Sequence, residues 1–321
     1  MAHNNRKSKM LPYTLKDFQK QFPDDATCLD WLRTYLYPDG MYCIKCEATT
    51  LHHRVKSRPS YSCDRCGHHV HPTAGTIFHK SPTPLTTWFY AIYLMAQTRC
   101  GISAKQIQRE TGVTYKCAWR MFKQIRSMLQ DMTPIGGKGS KVETDEMYHG
   151  GKRKQGTGRR LRNDKGETLK SPVLGMVERK GRVRALAIAD VKSATLLENM
   201  GEYILPASTI FTDDLASYDG VTRLRGQGYK HRRINHSAKV YVQGSVHTNT
   251  IEGFWSLVKR GISGVYHQVS HKYLQTYLDE FTFRYNRRFD VQPMFMSFLE
   301  QVEKRDVVAY RASVQVEVEP F

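Results

Sequence analysis

Hydrophobic and polar positions divide the chain into regions of different periodicity. Residues 85–129 repeat apolar positions at helical spacing, with interruptions near Gly101 and at Gly112. A helical stretch at 193–205 and a longer one starting at Thr250 follow later in the chain. Between these helices lie four short strand-like runs, "KVETDEMY", "PVLGMVE", "RVRALAIAD" and "STIFTDD". Strands mixed with helices in this order predict an α/β domain after a helical region.

The charge of the chain narrows the class of partner. The 321 residues include 49 Lys and Arg against 30 Asp and Glu, which gives a formal net charge of +19. This charge favours a polyanionic partner, nucleic acid before an anionic membrane. The longest apolar run, residues 88–96, is too short to cross a bilayer, and the basic, polar start resembles no signal peptide. We therefore expect a cytoplasmic protein without a membrane partner.

Four of the seven cysteines have the spacing of a metal site. Cys43-x-x-Cys46 is followed, after sixteen residues, by Cys63-x-x-Cys66, a spacing typical of a tetrahedral zinc site with four cysteine ligands. The alternatives are four unrelated buried thiols, a redox pair, or a histidine in place of one thiolate; the neighbouring histidines are His68, His69 and His71. Because four sulfurs complete the ligand shell, the sequence predicts a structural zinc ion without an open position.

The segment "SAKQIQRETGVTYKCAWRMFKQIRSML" (103–129) predicts a helix, a glycine-containing turn and a second helix. The second helix has one apolar face and one basic face. Its basic side chains are Lys116, Arg120 and Lys123. This arrangement is typical of a helix-turn-helix that presents its second helix to DNA. A solvated amphipathic helix is the alternative.

Two acids occupy strand-like runs, where buried acids are uncommon. Asp145 lies inside one run and Asp213 ends another. Clustered carboxylates bind hard cations such as Mg²⁺. Glu143 and Glu146 compete with Asp145 for this role, and Asp214 competes with Asp213. For each acid, a solvated strand end is the alternative.

In "HTNTIEGFWSLVKR" (247–260), Glu252 and Lys259 are seven residues apart. On a helix this spacing returns a side chain to nearly the same direction. Both residues flank an apolar stripe formed by Ile251, Phe254, Trp255 and Val258. The alternative is a capping box in which Asn249 begins the helix and Glu252 closes back onto it.

The order of these acids, with Asp145 and Asp213 on strands and Glu252 on a helix followed by Lys259, resembles the DDE signature of insertion-sequence transposases. Further segments are similar to the bacterial group that has a zinc ribbon before the catalytic core: "FPDDATCLDWLRTYLYPDGMYCIKC", "TAGTIFHKSPTPLTTWFYAIYLM" and "VETDEMYHGGKRK". The resemblance covers roughly residues 11–295. It implies a multidomain fold, in which a zinc ribbon and a helix-turn-helix precede an RNase H-like core with a mixed sheet flanked by helices.

The resemblance also implies an activity. Mg²⁺-dependent hydrolysis at the ends of the element is followed by attack of the freed 3′-hydroxyl on target DNA. Asp145, Asp213 and Glu252 would bind two Mg²⁺ ions, for which Mn²⁺ can substitute, and Lys259 would complete the catalytic set. Asn249 is the alternative third position. The implied partners are the terminal inverted repeats, target DNA and further copies of the chain, in the bacterial cytoplasm.

A basic stretch follows the first predicted catalytic strand. Residues 151–184 contain 12 Lys and Arg against 3 Asp and Glu, and we expect a flexible loop that contacts the DNA backbone. The residues assigned to this contact are Lys152, Arg153, Lys154, Arg159 and Arg160. A solvated charge run is the alternative.

We divide the chain into residues 11–80 (helices and zinc ribbon), 81–133 (helix-turn-helix), 134–140 (linker), 141–295 (catalytic core) and 296–321 (tail). One rival function is a DNA-binding regulator whose core has lost catalysis, and another is a nuclease without strand transfer. A recombinase using Tyr148 or Tyr218 as a covalent nucleophile is a third. The presence of all three acids favours the transposase.

Overall fold

The computed structural model describes residues 10–150, 170–233 and 248–303. Two compact units divide the chain. The first unit comprises the residues up to 128 together with those from 289 onward, and the second unit comprises residues 129–288. In the described ranges, no helix combines the length and apolar character needed to cross a membrane.

Residues 10–128 of the first unit contain five helices, and capping side chains mark where several of them begin. They are α1 (Leu15–Gln21), α2 (Asp25–Leu36), α3 (Leu85–Gln97), α4 (Ala104–Thr111) and α5 (Tyr115–Ser127). Thr14 and Asp17 form a capping box at α1, and the Asp24 side chain caps α2. Two helices, α1 and α2, therefore precede the cysteine pairs in the predicted region 11–80.

Five short strands lie between α2 and α3. They are β1 (Met41–Cys43), β2 (Ala48–Thr50), β3 (His52–Val55), β4 (Ser60–Cys63) and β5 (His69–Val70). β1 and β2 form one antiparallel hairpin, and β3, β4 and β5 form an antiparallel three-stranded sheet with β4 in the centre. Cys43 ends β1 and Cys63 ends β4, and Cys46 and Cys66 lie in the turns that follow these two strands.

The second unit is built on a five-stranded mixed sheet. Its strands and helices, in chain order, are β6 (Ile135–Gly136), β7 (Lys141–Gly150), β8 (Lys170–Glu178), β9 (Val183–Ala187), α6 (Ser193–Tyr203), β10 (Ile204–Leu205), β11 (Thr209–Thr212), β12 (Lys230–Arg233), α7 (Asn249–Gly261) and α8 (Leu274–Asn286). The sheet order is β12-β11-β7-β8-β9. β7, β8 and β9 are antiparallel neighbours, whereas β11 runs parallel to β7 and β12 parallel to β11. All four strand-like runs predicted from the sequence are strands of this sheet.

The predicted linker, residues 134–140, contains β6, which pairs with β10 in parallel. Gly136 has a φ of +87°, and an added Cβ would lie 2.5 Å from Ser208 Oγ. The neighbouring Gly137 N–H donates to the same Ser208 hydroxyl at 2.8 Å. This close approach explains why glycine occupies the position, and it attaches the segment to the second unit.

Helices cover both faces of the sheet. Successive residues of a strand point to opposite faces, so Val142, Leu174 and Met176 pack into one buried cluster with Leu196 and Met200 of α6. On the other face, α7 presents its apolar stripe. All four predicted stripe residues are at most 3 % exposed: Ile251, Phe254, Trp255 and Val258.

The last helix of the described residues is α9 (Met294–Leu299), which belongs to the first unit. Phe295 of this helix is fully buried and stacks on Tyr13 with ring centroids 4.9 Å apart. Its ring also meets Phe18 and Phe22 of the N-terminal helices edge-on. Helix α9 thus contributes Phe295 to the aromatic core of the first unit.

Candidate functional site

The four predicted cysteine ligands converge at one point. The sulfur atoms of Cys43 and Cys66 are 3.5 Å apart, and those of Cys46 and Cys63 are 3.9 Å apart. Four thiolates arranged tetrahedrally around zinc at about 2.3 Å would be about 3.8 Å from one another. The site therefore fits a zinc ion in size as well as in donor type.

In the described part of the chain, this quartet is the one group of three or more Cys, His, Asp or Glu side chains whose ligand atoms all lie within 4.8 Å of one another. The histidines that follow are outside the group, and His69 instead pairs with Ser60 Oγ at 3.2 Å. The quartet thus supplies all four positions of a closed site.

Asp145 is held in the middle of β7 by α7. Its carboxylate accepts a hydrogen bond from Trp255 Nε1 at 3.0 Å. Burial raises the pKa of Asp145 to about 6; the Trp255 hydrogen bond opposes this rise, and the negative charges of Asp213 and Glu252 add to it. Asp213 and Glu252 are therefore near enough to act on Asp145, although the oxygen atoms of the three acids do not all lie within 4.8 Å of one another.

Asp213 follows the last residue of β11. Phe211 of that strand pairs with Glu143 of β7 in parallel register, so two more residues along both strands bring Asp213 beside Asp145. Asp213 Oδ1 accepts a hydrogen bond from the Leu215 backbone N–H at 3.0 Å, which fixes the carboxylate at the strand end. Asp214 is exposed.

Glu252 and Lys259 are both exposed on α7, as their common helix edge predicts. The alternative capping box is wrong, because Thr248 is the N-cap and Asn249 is the first helical residue. The Thr248 hydroxyl instead donates to Glu252 Oε1 at 3.3 Å.

Glu143 anchors the start of α7 to the sheet. This fully buried carboxylate accepts from the Thr250 N–H (2.8 Å), the Thr250 hydroxyl (2.9 Å) and the Ile251 N–H (3.1 Å). Arg179 Nε donates to it at 2.6 Å and balances its charge. Glu143 therefore satisfies the free N–H groups of a helix start, where a negative charge is also favoured. It fixes the helix that carries Glu252 and does not compete with Asp145.

Glu146 points to the opposite face of β7 from Asp145. Its carboxylate accepts from the Tyr218 hydroxyl at 2.7 Å. Burial raises the pKa of Glu146 to about 7; the Tyr218 hydrogen bond opposes the rise, and the charges of Asp213 and Asp145 add to it. Tyr218 is fully buried. This burial, together with the nearby carboxylates of Glu146, Asp145 and Asp213, raises the pKa of its phenol well above the ordinary value. A buried, hydrogen-bonded phenol cannot reach a phosphodiester, which excludes Tyr218 as a covalent nucleophile.

Gly175 makes room for Trp255, the hydrogen-bond partner of Asp145. It pairs with Asp145 across β7 and β8, and an added Cβ would lie 2.3 Å from Cζ2 of Trp255 and 2.8 Å from Cδ1 of Ile251. Trp255 belongs to the apolar stripe predicted from the sequence, but the stripe predicts neither its hydrogen bond to Asp145 nor the need for glycine opposite. A glycine inside a strand, which often marks a close approach, was the available signal.

The predicted DNA-binding helix α5 has the expected two faces. Ala118, Phe122 and Ile125 are buried, whereas Lys116 is exposed. Arg120 is partly buried and donates from Nη2 to the His79 carbonyl at 3.3 Å. Lys123 is also partly buried. The predicted loop residues Lys152, Arg153, Lys154, Arg159 and Arg160 lie outside the described residues.

Comparison with known proteins identifies the family. An ISXO2-like transposase domain matches residues 136–286, the range that holds Asp145, Asp213 and Glu252. A protein of the transposable element ISH50 from Halobacterium salinarum, itself uncharacterized, is 28% identical over 283 residues, or 83% of this chain and 92% of the relative. An uncharacterized transposase-like protein from Haemophilus influenzae is 30% identical over 129 residues, or 40% of this chain and 99% of the relative. The chain therefore belongs to the insertion-sequence transposases with an ISXO2-like transposase domain.

Proposed function

We propose that this transposase binds the ends of its insertion sequence and catalyses Mg²⁺-dependent DNA cleavage and strand transfer. The observation that carries the proposal is the placement of Asp145, Asp213 and Glu252. The first lies on a central strand, the second at the end of the neighbouring parallel strand and the third on a helix packed against them. The charges of Asp213 and Glu252 act on Asp145, as expected of carboxylates that share cations.

The topology of the second unit supports an RNase H-like core. An antiparallel three-stranded meander is extended, beside its first strand, by two parallel strands, and helices cover both faces. In chain order, Asp145 lies on the first strand of the sheet, Asp213 directly follows the fourth, and Glu252 lies on the helix after the sheet. This is the distribution that the sequence resemblance implies for a DDE core.

Asp145, Asp213 and Glu252 would hold the two Mg²⁺ ions that the sequence resemblance implies, because carboxylate oxygens are the ligands that Mg²⁺ prefers. The bound ions would activate the attacking oxygen and stabilise the leaving one.

The remaining residues position these groups. Trp255 orients the Asp145 carboxylate through its indole N–H. Glu143 holds the first turn of α7, so that Glu252 keeps its place beside the strand. Lys259 is about 10 Å further along the same helix edge by helix rise, too far to share a ligand with Glu252, and we assign it to a DNA phosphate next to the scissile one.

DNA-end binding is proposed for the first unit. Gly112, in the left-handed conformation, is the C-cap of α4, and Thr114 is the N-cap of α5. The two helices are therefore joined by a short glycine-containing turn, which supports a helix-turn-helix. Its DNA contacts are assigned to Lys116, Arg120 and Lys123. The basic residues of the 151–169 segment add backbone contacts, the cysteine quartet binds a structural zinc ion, and several copies act together on DNA.

The test is an incubation of purified protein with Mg²⁺ and DNA carrying the element's own ends. The wild-type protein should cleave this DNA, and Asp145→Asn and Asp213→Asn should abolish cleavage while they spare DNA binding. Asp214→Asn is the matched control and should stay active. A wild-type protein that binds the ends tightly but never cuts them would favour the regulator instead.

A further inference from the structure

The first unit contains a cleft of about 680 Å³ that none of the functions above uses. One wall is the β3–β4 hairpin, with Arg54, Lys56 and Arg58, and the other is the segment before α3, with His79 and Lys80. We infer that this cleft binds the phosphate backbone of the DNA. The inference rests on the proposed DNA-processing function and assigns it a further contact surface.

The charges of the cleft are unbalanced. Lys56, Arg58 and Lys80 are exposed, and within the described ranges no acidic side chain forms an ion pair with any of them. The acid in the lining, Asp25, already accepts from the Thr86 N–H and hydroxyl at 2.8 Å each. Cations that outnumber their counter-charges repel one another, and a polyanion relieves that repulsion.

Both walls are held in shape by internal contacts. Arg54 donates from Nη1 to the carbonyls of Val55, Arg58 and Ser60, which closes the hairpin turn behind Lys56 and Arg58. On the other wall, the Ser81 hydroxyl accepts from Nε1 of the fully buried Trp88 at 2.9 Å. A preformed surface loses little conformational entropy on binding, which favours a ligand site over a chance gathering of lysines.

The cleft also adjoins the helix proposed to contact DNA. Arg120 of α5 donates to the carbonyl of His79, which lines the cleft. Thr83, another lining residue, approaches Cys117 of α5 with Oγ1 and Sγ 3.2 Å apart. A DNA strand that touches Lys116 and Arg120 therefore has the cleft beside it, and the zinc-ribbon hairpin and α5 can contact the same DNA.

A charge-matched pair of variants tests this inference. Lys56→Gln combined with Lys80→Gln removes one cation from each wall, and Lys16→Gln combined with Lys20→Gln removes two exposed cations from α1, outside the cleft. Binding to a random DNA duplex is measured by fluorescence anisotropy between about 50 and 200 mM salt, without added Mg²⁺. Each lost phosphate contact lowers the slope of log affinity against log salt by about 1. The cleft variant should therefore lose about 2 units of slope, and the α1 variant should match the wild type.

The result is interpreted only for protein that keeps its zinc and its far-UV circular dichroism spectrum. Equal slopes for the wild type and the cleft variant would overturn the inference, as would equal losses in both variants. The same salt titration is carried out with an RNA duplex. A loss of slope by the cleft variant on RNA alone would assign the cleft to RNA and also overturn the inference. The assay involves no cleavage, so failure of the catalytic proposal, which is measured with Asp145→Asn, is a separate outcome.

Discussion

The cysteine quartet of the first unit and the acids of the second are both candidate metal sites, but they are built differently. The cysteines come from residues 43–66, and their sulfur atoms already lie at distances that suit one zinc ion. The acids come from residues 145, 213 and 252, on two strands and a helix, and remain further apart. Local hairpins bring the four cysteines of the first site together. The acids of the second site come from elements that are distant in sequence, and their side chains are not drawn into one compact cluster.

This difference shows where each site obtains its stability. The quartet stabilises its own hairpins once metal is bound. Asp145 instead loses solvation and is repelled by Asp213 and Glu252, and both effects raise its pKa. The positions of the acids depend on neighbours: Trp255 for Asp145, and Glu143 for the helix that carries Glu252. Removing a ligand should therefore damage the fold at the first site and the activity at the second.

The largest effect is expected for Cys63→Ser. Zinc binding to a structural site contributes on the order of 10 kcal/mol, so loss of one thiolate should release the ion and unfold the hairpins around residues 40–75. Metal content and hydrogen exchange of both units measure the change. Cys28→Ser, which alters a buried thiol outside the quartet, is the control and should keep its zinc. A zinc-free wild-type protein, purified without chelator, would contradict the closed-site interpretation.

The next largest effect is expected for Glu252→Gln, on activity alone. Loss of a metal-binding charge should slow end cleavage and strand transfer at least about a thousandfold, equivalent to about 4 kcal/mol of activation free energy. Because Glu252 is exposed and Glu143 holds the helix start, hydrogen exchange of α7 should not change.

Asn249→Ala is the companion variant for Glu252→Gln. Asn249 is exposed and is not the N-cap, so this change should leave both fold and cleavage nearly unaffected. An active Glu252→Gln protein together with an inactive, folded Asn249→Ala protein would transfer the third catalytic position to Asn249.

Gly175→Ala tests the support of the carboxylate site. The new methyl group would overlap Trp255, and such overpacking should cost about 3 kcal/mol of unfolding free energy and displace the indole from Asp145. Gly253→Ala is the control, because a Cβ at that helical position meets nothing within 4 Å and should stabilise α7 by up to about 1 kcal/mol. Thermal unfolding and cleavage rates measure both variants. Equal cleavage by the two proteins would remove Trp255 from the positioning of Asp145.

The two sites also differ in how far sequence predicts them. Cysteine spacing specified the quartet completely, because its ligands are local. Alternating and helical patterns predicted four of the five strands of the sheet, all except β12, and the buried stripe of α7. The role of Glu143 was not predictable, because its partner N–H groups are more than a hundred residues away in sequence. The same holds for the hydrogen bond between Asp145 and Trp255, since an apolar stripe does not reveal where an indole N–H points.

The smallest predicted effect is a gain in stability when the carboxylate site loses a charge. The pKa of Asp145 rises from 3.8 to about 6 in the folded protein. The folded state therefore binds more protons than the unfolded state between these pH values, and its free energy of unfolding falls as the pH rises through that window. Asp145→Asn should remove this loss and increase the unfolding free energy at about pH 7.5 by about 1 to 2 kcal/mol, with no gain at about pH 3.

Hydrogen exchange of the β7 amides at several pH values measures this change, and Asp214→Asn, at an exposed site, should follow the wild type. Added Mg²⁺ should stabilise the wild type, since a ligand that binds only the folded state raises its stability, and should have less effect on Asp145→Asn. The opposite result, an Asp145→Asn protein less stable than the wild type above the folded-state pKa, would mean that the Asp145 charge is compensated within the fold. The contrast between a self-stabilised cysteine site and a strained carboxylate site would then be wrong.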